Sequence, residues 1–183
     1  MTSTIVLLNG AGSAGKSSIA RALQTITEEP FLHVQMDTFL EMLPVAYQDD
    51  QEGVGYETMI VNGNSEVAIR LGPVGRRLLD GMRHAVAALA RQDNNLIVDD
   101  VLCNGEMAIY ANLLAAFRLC RIGVIAPLNV LEARERARAD RMTGLARWQY
   151  PRVHAGVTYD LEVDTSRMTS LECAAFIKER FSL

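Results

Sequence analysis

Between Thr4 and Ser17 the chain reads Thr4-Ile5-Val6-Leu7-Leu8-Asn9-Gly10-Ala11-Gly12-Ser13-Ala14-Gly15-Lys16-Ser17. Thr4 to Asn9 is a short apolar, β-branched run ending in glycine, the pattern of a buried strand. Residues 10–17 then match GxxxxGK[ST] at every fixed position. Glycines admit positive φ and close backbone approach, so successive N–H groups can surround phosphate oxygens. A helix starting near Lys16 adds its positive end, with Ile19, Ala20, Leu23 and Ile26 at helical spacing on one face. Gly10, Ala11, Gly12, Ser13, Ala14, Gly15, Lys16, Ser17 and Ser18 thus read as a nucleotide-phosphate cradle. Lys16 is placed to reach the β- and γ-phosphates of ATP, and the Ser17 hydroxyl to ligate Mg²⁺. A bare turn between strand and helix explains the glycines but not the adjoining Lys-Ser.

Working outward, Phe31 to Met36 reads as a second strand, followed by a helix over Thr38 to Met42 that Pro44 ends. Tyr56 to Val61 and Glu66 to Leu71 flank Asn62-Gly63-Asn64-Ser65, a hairpin signal. Residues 47–72 are therefore a β-hairpin insertion on the acceptor side. After Pro73, the stripe Val74, Leu78, Met82, Val86 and Leu89 predicts a helix. Leu96 to Val98 and Leu119 to Ile125 are further strands, with Met107 to Phe117 helical between them. Asn129 with Glu132, and Thr169 with Glu172, have capping-box spacing. The first predicts a helix to about Met142, within a lid region at 130–155. Val157, Tyr159, Leu161 and Val163 alternate as a last strand. Strands alternating with helices imply one α/β domain over 1–183: three layers, a mainly parallel five-stranded sheet, the hairpin and an Arg-rich lid helix.

In such a sheet, ligands bind beyond the carboxyl ends of the strands. Asp37, Asp99 and Asp100 all follow strand patterns. Asp99-Asp100, after Asn95-Leu96-Ile97-Val98, resembles a Walker B element in which one carboxylate holds Mg²⁺. Asp99 is taken with Ser17 as the metal pair and Asp100 as a substrate contact, though the spacing does not decide between the two, and a helix cap or solvated pair is the plainer reading. Asp37 fits two roles, a general base for an acceptor hydroxyl or the N-cap of the helix after it. Arg134, Arg138 and Arg141 lie at i, i+4 and i+7 and share a face, as a lid closing over phosphates requires; a solvated helix paired by Glu132, Glu135 and Asp140 is the plainer reading. Asp164 and Thr165 flank the end of the last strand, where a nucleotide base can pack, or are turn residues. His33 and His84 read as structural, whereas His154, near the lid, is a candidate substrate contact. Phe39, Met42, Leu43 and Val45 form an apolar set suited to an aromatic or amphipathic acceptor.

The totals agree with this reading. The chain has 183 residues, 49% hydrophobic and 22% charged, enough to bury a core. A net charge of -4 argues against a nucleic-acid binder. Its three cysteines, Cys103, Cys120 and Cys173, have neither zinc nor disulfide-framework spacing and read as small buried hydrophobes. The N-terminal residues lack a basic segment and no apolar run reaches membrane-spanning length, so the expectation is a cytoplasmic protein with no membrane partner. Oligomeric state is not readable from the sequence.

With these pieces in place the chain resembles the chloramphenicol phosphotransferase family nearly end to end. The resemblance rests on Leu8-Asn9-Gly10, Ser13 to Ser17, Asp37 with Glu41 and Pro44, and Ile97-Val98-Asp99-Asp100-Val101. It continues through Arg134-Glu135, Ala137-Arg138, Asp140-Arg141, Val153-His154, Gly156-Val157, Tyr159-Asp160 and Glu162-Val163-Asp164-Thr165. It implies ATP-dependent phosphorylation of the drug's primary 3-hydroxyl within a nucleotide-kinase-like fold, with Asp37 as general base, Lys16 on phosphate and Arg134 and Arg138 acting from the lid. A metabolite kinase of the shikimate or gluconate type would need charged residues around its acceptor. A nucleotide switch would carry NKxD, which is absent, and the DxxG at Asp50-Gln51-Glu52-Gly53 lies in the hairpin insertion.

Overall fold

The computed structural model describes residues 2–138 and 142–183. Seven strands and seven helices follow in the order β1 (Thr4–Asn9), α1 (Lys16–Ile26), β2 (Phe31–Gln35), α2 (Met36–Glu41), β3 (Val54–Val61), β4 (Asn64–Leu71), α3 (Pro73–Ala90), β5 (Asn95–Asp100), α4 (Met107–Leu113), β6 (Arg118–Ile125), α5 (Leu128–Arg136), α6 (Leu145–Val153), β7 (Leu161–Asp164) and α7 (Ser170–Phe181) among the described residues. The main sheet has five strands in the order β2-β5-β1-β6-β7, every neighbouring pair parallel. The chain leaves β1 toward one edge and β5 toward the other, which opens a crevice at their carboxyl ends.

Alternation along β1 divides the core in two. Val6 and Leu8 pack with Ile19 and Leu23 of α1 and Ile177 of α7, whereas Ile5 and Leu7 pack with Met82 and Val86 of α3 and Tyr110 of α4. On β5 the same period sends Ile97 to the α1 side and Leu96 and Val98 to the α3 side. Asp99 and Asp100, the last residues of β5, must therefore point to opposite faces.

Local rules hold in several places. Thr169 and Glu172 form a complete capping box at α7. Asn62 and Gly63 turn the β3–β4 hairpin with φ of 50° and 76°, the left-handed pair such a turn needs. All three cysteines are free and buried. No helix among the described residues is long and apolar enough to cross a membrane.

Elsewhere packing corrects the sequence expectations. The Asn129 cap is not used: Pro127 occupies the cap position with φ of -57°, and α5 starts at Leu128. That helix stops at Arg136, capped by Ala137, rather than reaching Met142. Arg138 thus follows the helix instead of sharing a face with Arg134, and Arg141 lies outside the described residues. The buried face of α3 is Leu79, Met82, Val86 and Ala90, with Leu78 and Leu89 on its flank. α4 ends at Leu113, and β7 forms only from Leu161, which leaves Tyr159 outside the strand. A 3-10 turn at Val45–Tyr47 and helix α6 had no clear sequence signal.

Candidate active site

The phosphate loop sits between β1 and α1, where the sheet leaves it no alternative path. A Cβ on Gly10 would meet the Val124 carbonyl oxygen of β6 at 2.4 Å, so only glycine lets the loop leave β1 there. Gly15 closes the loop with φ of 96°. Gly10, Ala11 and Ala14 are buried and shape the loop through their backbones. The Lys16 Nζ donates to Gly10 O and Ala11 O at 2.9 and 3.2 Å, and the Ala14 N–H donates to Ala11 O. Ser18 N–H donates to Gly15 O as α1 begins.

At the carboxyl end of β5, Asp99 faces this loop. Its Oδ2 accepts from Ser17 Oγ at 2.6 Å, and its Oδ1 lies 3.7 Å from Lys16 Nζ. Gln35, the last residue of β2, donates to Ser17 Oγ at 3.0 Å. His33 Nε2 lies 3.6 Å from Asp99 Oδ2, beyond hydrogen-bond distance but within ion-pair reach, and is buried without a hydrogen-bond partner. Burial opposes the charged form of Asp99, but Lys16, His33 and Ser17 outweigh it and hold the carboxyl below the usual carboxylate range. Ser17 hydroxyl, Asp99 carboxylate and the Lys16 ammonium thus form the hard oxygen pair and adjacent cation that Mg²⁺ and a polyphosphate require.

Asp100 has a different environment on the opposite face. Its Oδ1 accepts from Val101 N–H and its Oδ2 from Tyr110 OH at 3.0 Å. Burial pushes its carboxyl up to about 6. Arg83 lies nearby, buried, and pairs with Asp80 and Glu106 at 3.0 and 2.8 Å. Asp100 is therefore tied into the α3–α4 packing, apart from Ser17 and Lys16.

A cavity of about 390 Å³ opens in front of the loop. Gly12, Ser13, Gly15, Lys16, Ser17 and Ser18 line it together with Asp99, Asp37 and Arg138. Asp37 reaches it because α2 starts at Met36, one residue past β2, which places Asp37 in the first helical turn. Gln35 holds the cap position with extended backbone, so Asp37 is not the N-cap. A second opening, lined by Arg134, Arg138, Thr165 and Met168, continues from Ser13 and Gly15 toward β7. Arg134 donates to Thr165 Oγ1 and Thr165 O at 2.9 and 2.7 Å, and Thr165 Oγ1 donates to Ala14 O at 2.9 Å. Asp164 accepts from the Ser166 N–H and hydroxyl, and so stabilises the turn beside this opening.

A third cavity, of about 540 Å³, adjoins the first on the α3 side of the sheet. Met36, Leu40, Ile69, Leu71, Leu79 and Trp148 give it an apolar wall. Arg70, Arg76, Asp80, Arg83, Asp100 and Glu106 line the rest, so the predicted substrate contact Asp100 reaches this cavity rather than the first. The hairpin contributes because it folds back: Val67 N–H donates to Gly144 O at 3.0 Å, which docks β4 on the residue that opens α6.

The other sequence candidates are placed less directly. Leu43 and Val45 line an opening of about 620 Å³ with Asp37. Phe39 packs against the α3 core, and Met42 is 66% exposed. His154 accepts or donates at Tyr159 OH (2.7 Å), whose hydroxyl also accepts from Asn9 at 2.8 Å, so it belongs to a structural chain behind β1. Burial pulls its imidazole below the ordinary value. Sequence reading missed Met36, Leu40, Ile69, Trp148 and Gln149. For Asp99 against Asp100 a signal existed, since period-two alternation already separates neighbours on a strand.

The profile of the family described as Chloramphenicol phosphotransferase-like protein matches residues 3–182. Two Mycobacterium tuberculosis relatives, the candidate O-phosphotransferases MT2714 and Rv2636, are each 29% identical over 186 residues, covering 97% of this chain and 81% of theirs. A sugar kinase from Janibacter sp. HTCC2649 superposes with a TM-score of 0.69 at 15% identity, over 98% of this chain and 95% of that one. The M. tuberculosis APS kinase CysC, in complex with AMPPNP and APS, gives 0.68 at 15% identity, over 100% and 99%. The tunicamycin resistance protein of Deinococcus radiodurans gives 0.65 at 17%, over 99% and 96%. At these identities the likeness is one of fold, the parallel α/β fold of P-loop kinases. Matched over nearly its whole length by the family profile, the chain belongs to the chloramphenicol phosphotransferase-like family.

Proposed function

We propose that the protein is an ATP-dependent O-phosphotransferase whose acceptor is the primary 3-hydroxyl of chloramphenicol. The observation that carries this reading is the convergence of Asp37 with Lys16, Ser17, Asp99 and Arg138 around one cavity. Family membership supports the choice of acceptor, and the adjoining cavity offers an apolar wall for an aromatic body beside charged groups for its polar substituents.

Mg-ATP, when bound, supplies the γ-phosphoryl group and the cation that screens it. Ser17 and Asp99 hold the metal side of the site. Lys16 exchanges its loop carbonyls for β- and γ-phosphate oxygens. Asp37 accepts the proton of the attacking hydroxyl as its oxygen bonds to the γ-phosphorus and the bond to the bridging oxygen of the departing ADP breaks. Arg138, which lines the cavity, neutralises charge spread over the transferring group. Arg134 braces the loop through Thr165 and the nucleotide side of the opening. The metal role falls to Asp99 rather than Asp100, which the α3–α4 packing engages.

The test is ADP release with Mg-ATP, with and without chloramphenicol, and mass analysis of the product. A drug heavier by one phosphate supports the proposal. Nucleotide binding without any phosphorylated drug removes chloramphenicol as the acceptor.

A further inference from the structure

Gln149 stands where the phosphate cavity and the apolar cavity meet. Its side chain lines both, and it is only 2% exposed. Its Oε1 accepts from the Gly12 N–H at 2.6 Å. Because a backbone N–H can only donate, this bond fixes which end of the carboxamide is oxygen. The Nε2 group is thereby directed away from the loop, and it donates to no protein group among the described residues. The side chain that carries it lines both cavities, so a ligand in either can reach it. A buried amide with both N–H hydrogens unused at the seam of two cavities is a donor in want of an acceptor.

The residue is also held in place. Gly144 and Ala146 N–H groups donate to Glu135 at the start of α6, and Arg152 stacks on Trp148 with its Cζ 4.8 Å from the ring centroid. Gly12 contributes by lacking a side chain: a Cβ there would lie 3.2 Å from Gln149 Oε1. The carboxamide is therefore preorganised before any ligand arrives.

We propose that Gln149 contacts the transferring phosphoryl group: anchored on Gly12 through Oε1, it presents its Nε2 hydrogens to a γ-phosphoryl oxygen while the body of the acceptor fills the adjoining apolar cavity. This rests on the kinase reading above and adds a residue to it. Donors fixed where charge develops cost no reorganisation during transfer, which is why such groups carry large rate effects.

The test compares Gln149→Glu and Gln149→Ala with the wild type by thermal melting, by titration with ADP and with AMPPNP, and by transfer rate. Glutamate keeps an oxygen for the Gly12 N–H but replaces the two donors with negative charge facing the γ-phosphate. The expected result for Gln149→Glu is an ADP affinity near that of the wild type with AMPPNP affinity reduced at least about tenfold, while the melting temperature falls only by the cost of burying the carboxylate. Transfer should fall about 10²-fold in both variants, the usual worth of one oxyanion donor. An AMPPNP-to-ADP affinity ratio equal to that of the wild type overturns the proposal. Equal loss of both affinities together with a lower melting temperature also overturns it, because Gln149 is then a structural bridge only. If the wild type binds AMPPNP but does not phosphorylate chloramphenicol, the acceptor assignment fails while the affinity ratio still decides the role of Gln149. A wild type that binds neither nucleotide overturns both.

Discussion

Replacing Glu135 by alanine should loosen the packing of α6 on α5 without changing any residue of the phosphate loop. Glu135 is 2% exposed on α5, and its two oxygens accept from Gly144 N–H and Ala146 N–H at 2.8 Å each. These are N-terminal donors of α6, which no residue within that helix can satisfy. Alanine orphans both, at about 1–3 kcal/mol per buried donor, so roughly 2–6 kcal/mol in all. Part of this is offset, because the buried carboxylate no longer has to be desolvated. A net loss of about 3 kcal/mol is the central expectation. For a chain of 183 residues each kcal/mol moves the melting temperature by about 2–4 °C, giving a fall of roughly 6–12 °C. Glu135→Gln retains one accepting oxygen and should lose about half as much. Thermal unfolding followed by circular dichroism, with urea titration as a second measure, reads this directly. Nucleotide affinity should fall alongside, because α6 carries Gln149 to the phosphate loop. A Glu135→Ala melting temperature within about 1 °C of wild type would refute the capping argument, since that corresponds to less than about 0.5 kcal/mol.

Asp37→Asn should keep nucleotide affinity, measured by calorimetry, while transfer to the acceptor drops by about 10²–10⁴-fold, the range for loss of a general base. Near-normal turnover would remove Asp37 from that role. For pH dependence, Arg121 hydrogen-bonds Asp160 through its side chain and backbone and holds that carboxyl below the usual range. A folded pKa below the unfolded one stabilises the protein above the unfolded value, near 4, and the gain disappears as pH falls through the folded value. Asp160→Asn should therefore cost about 1 kcal/mol at pH 7, as a partly exposed pair does, with the two melting curves converging below about pH 4. A gap that persists unchanged at pH 2 would place the effect in packing rather than charge.

The parts of this protein that were legible from sequence are those governed by neighbours along the chain. GxxxxGK[ST] after an apolar run specifies a strand, a positive-φ loop and a helix within residues 4–26. Asn62-Gly63 specifies a left-handed turn, and Thr169 with Glu172 a cap, because each interaction closes within a few residues. The order of hydrophobic runs likewise specified an α/β sheet, with the extent of each run uncertain at its ends. The helix expected from Asn129 to Met142 shows the limit of such rules. Arginine and glutamate spacing there is compatible with continued helix, yet Glu135 turns inward to cap α6, and α5 ends one residue later.

Sequence by itself determined the phosphate loop, its lysine and serine, the acidic residues at the strand ends and the family resemblance. Only the tertiary structure decided which carboxylate meets Ser17, because the faces of β5 acquire meaning once α1 and α3 cover opposite sides of it. It also decided that Asp37 shares a cavity with the loop, and that the hairpin and α6 close the apolar cavity beside it. Gln149 illustrates the physical reason. It lies 137 positions from Gly12 in the chain, and a hydrogen bond between such distant partners leaves no periodicity or spacing in the sequence. It exists because packing brings α6 over the loop, so the pairing is a property of the fold.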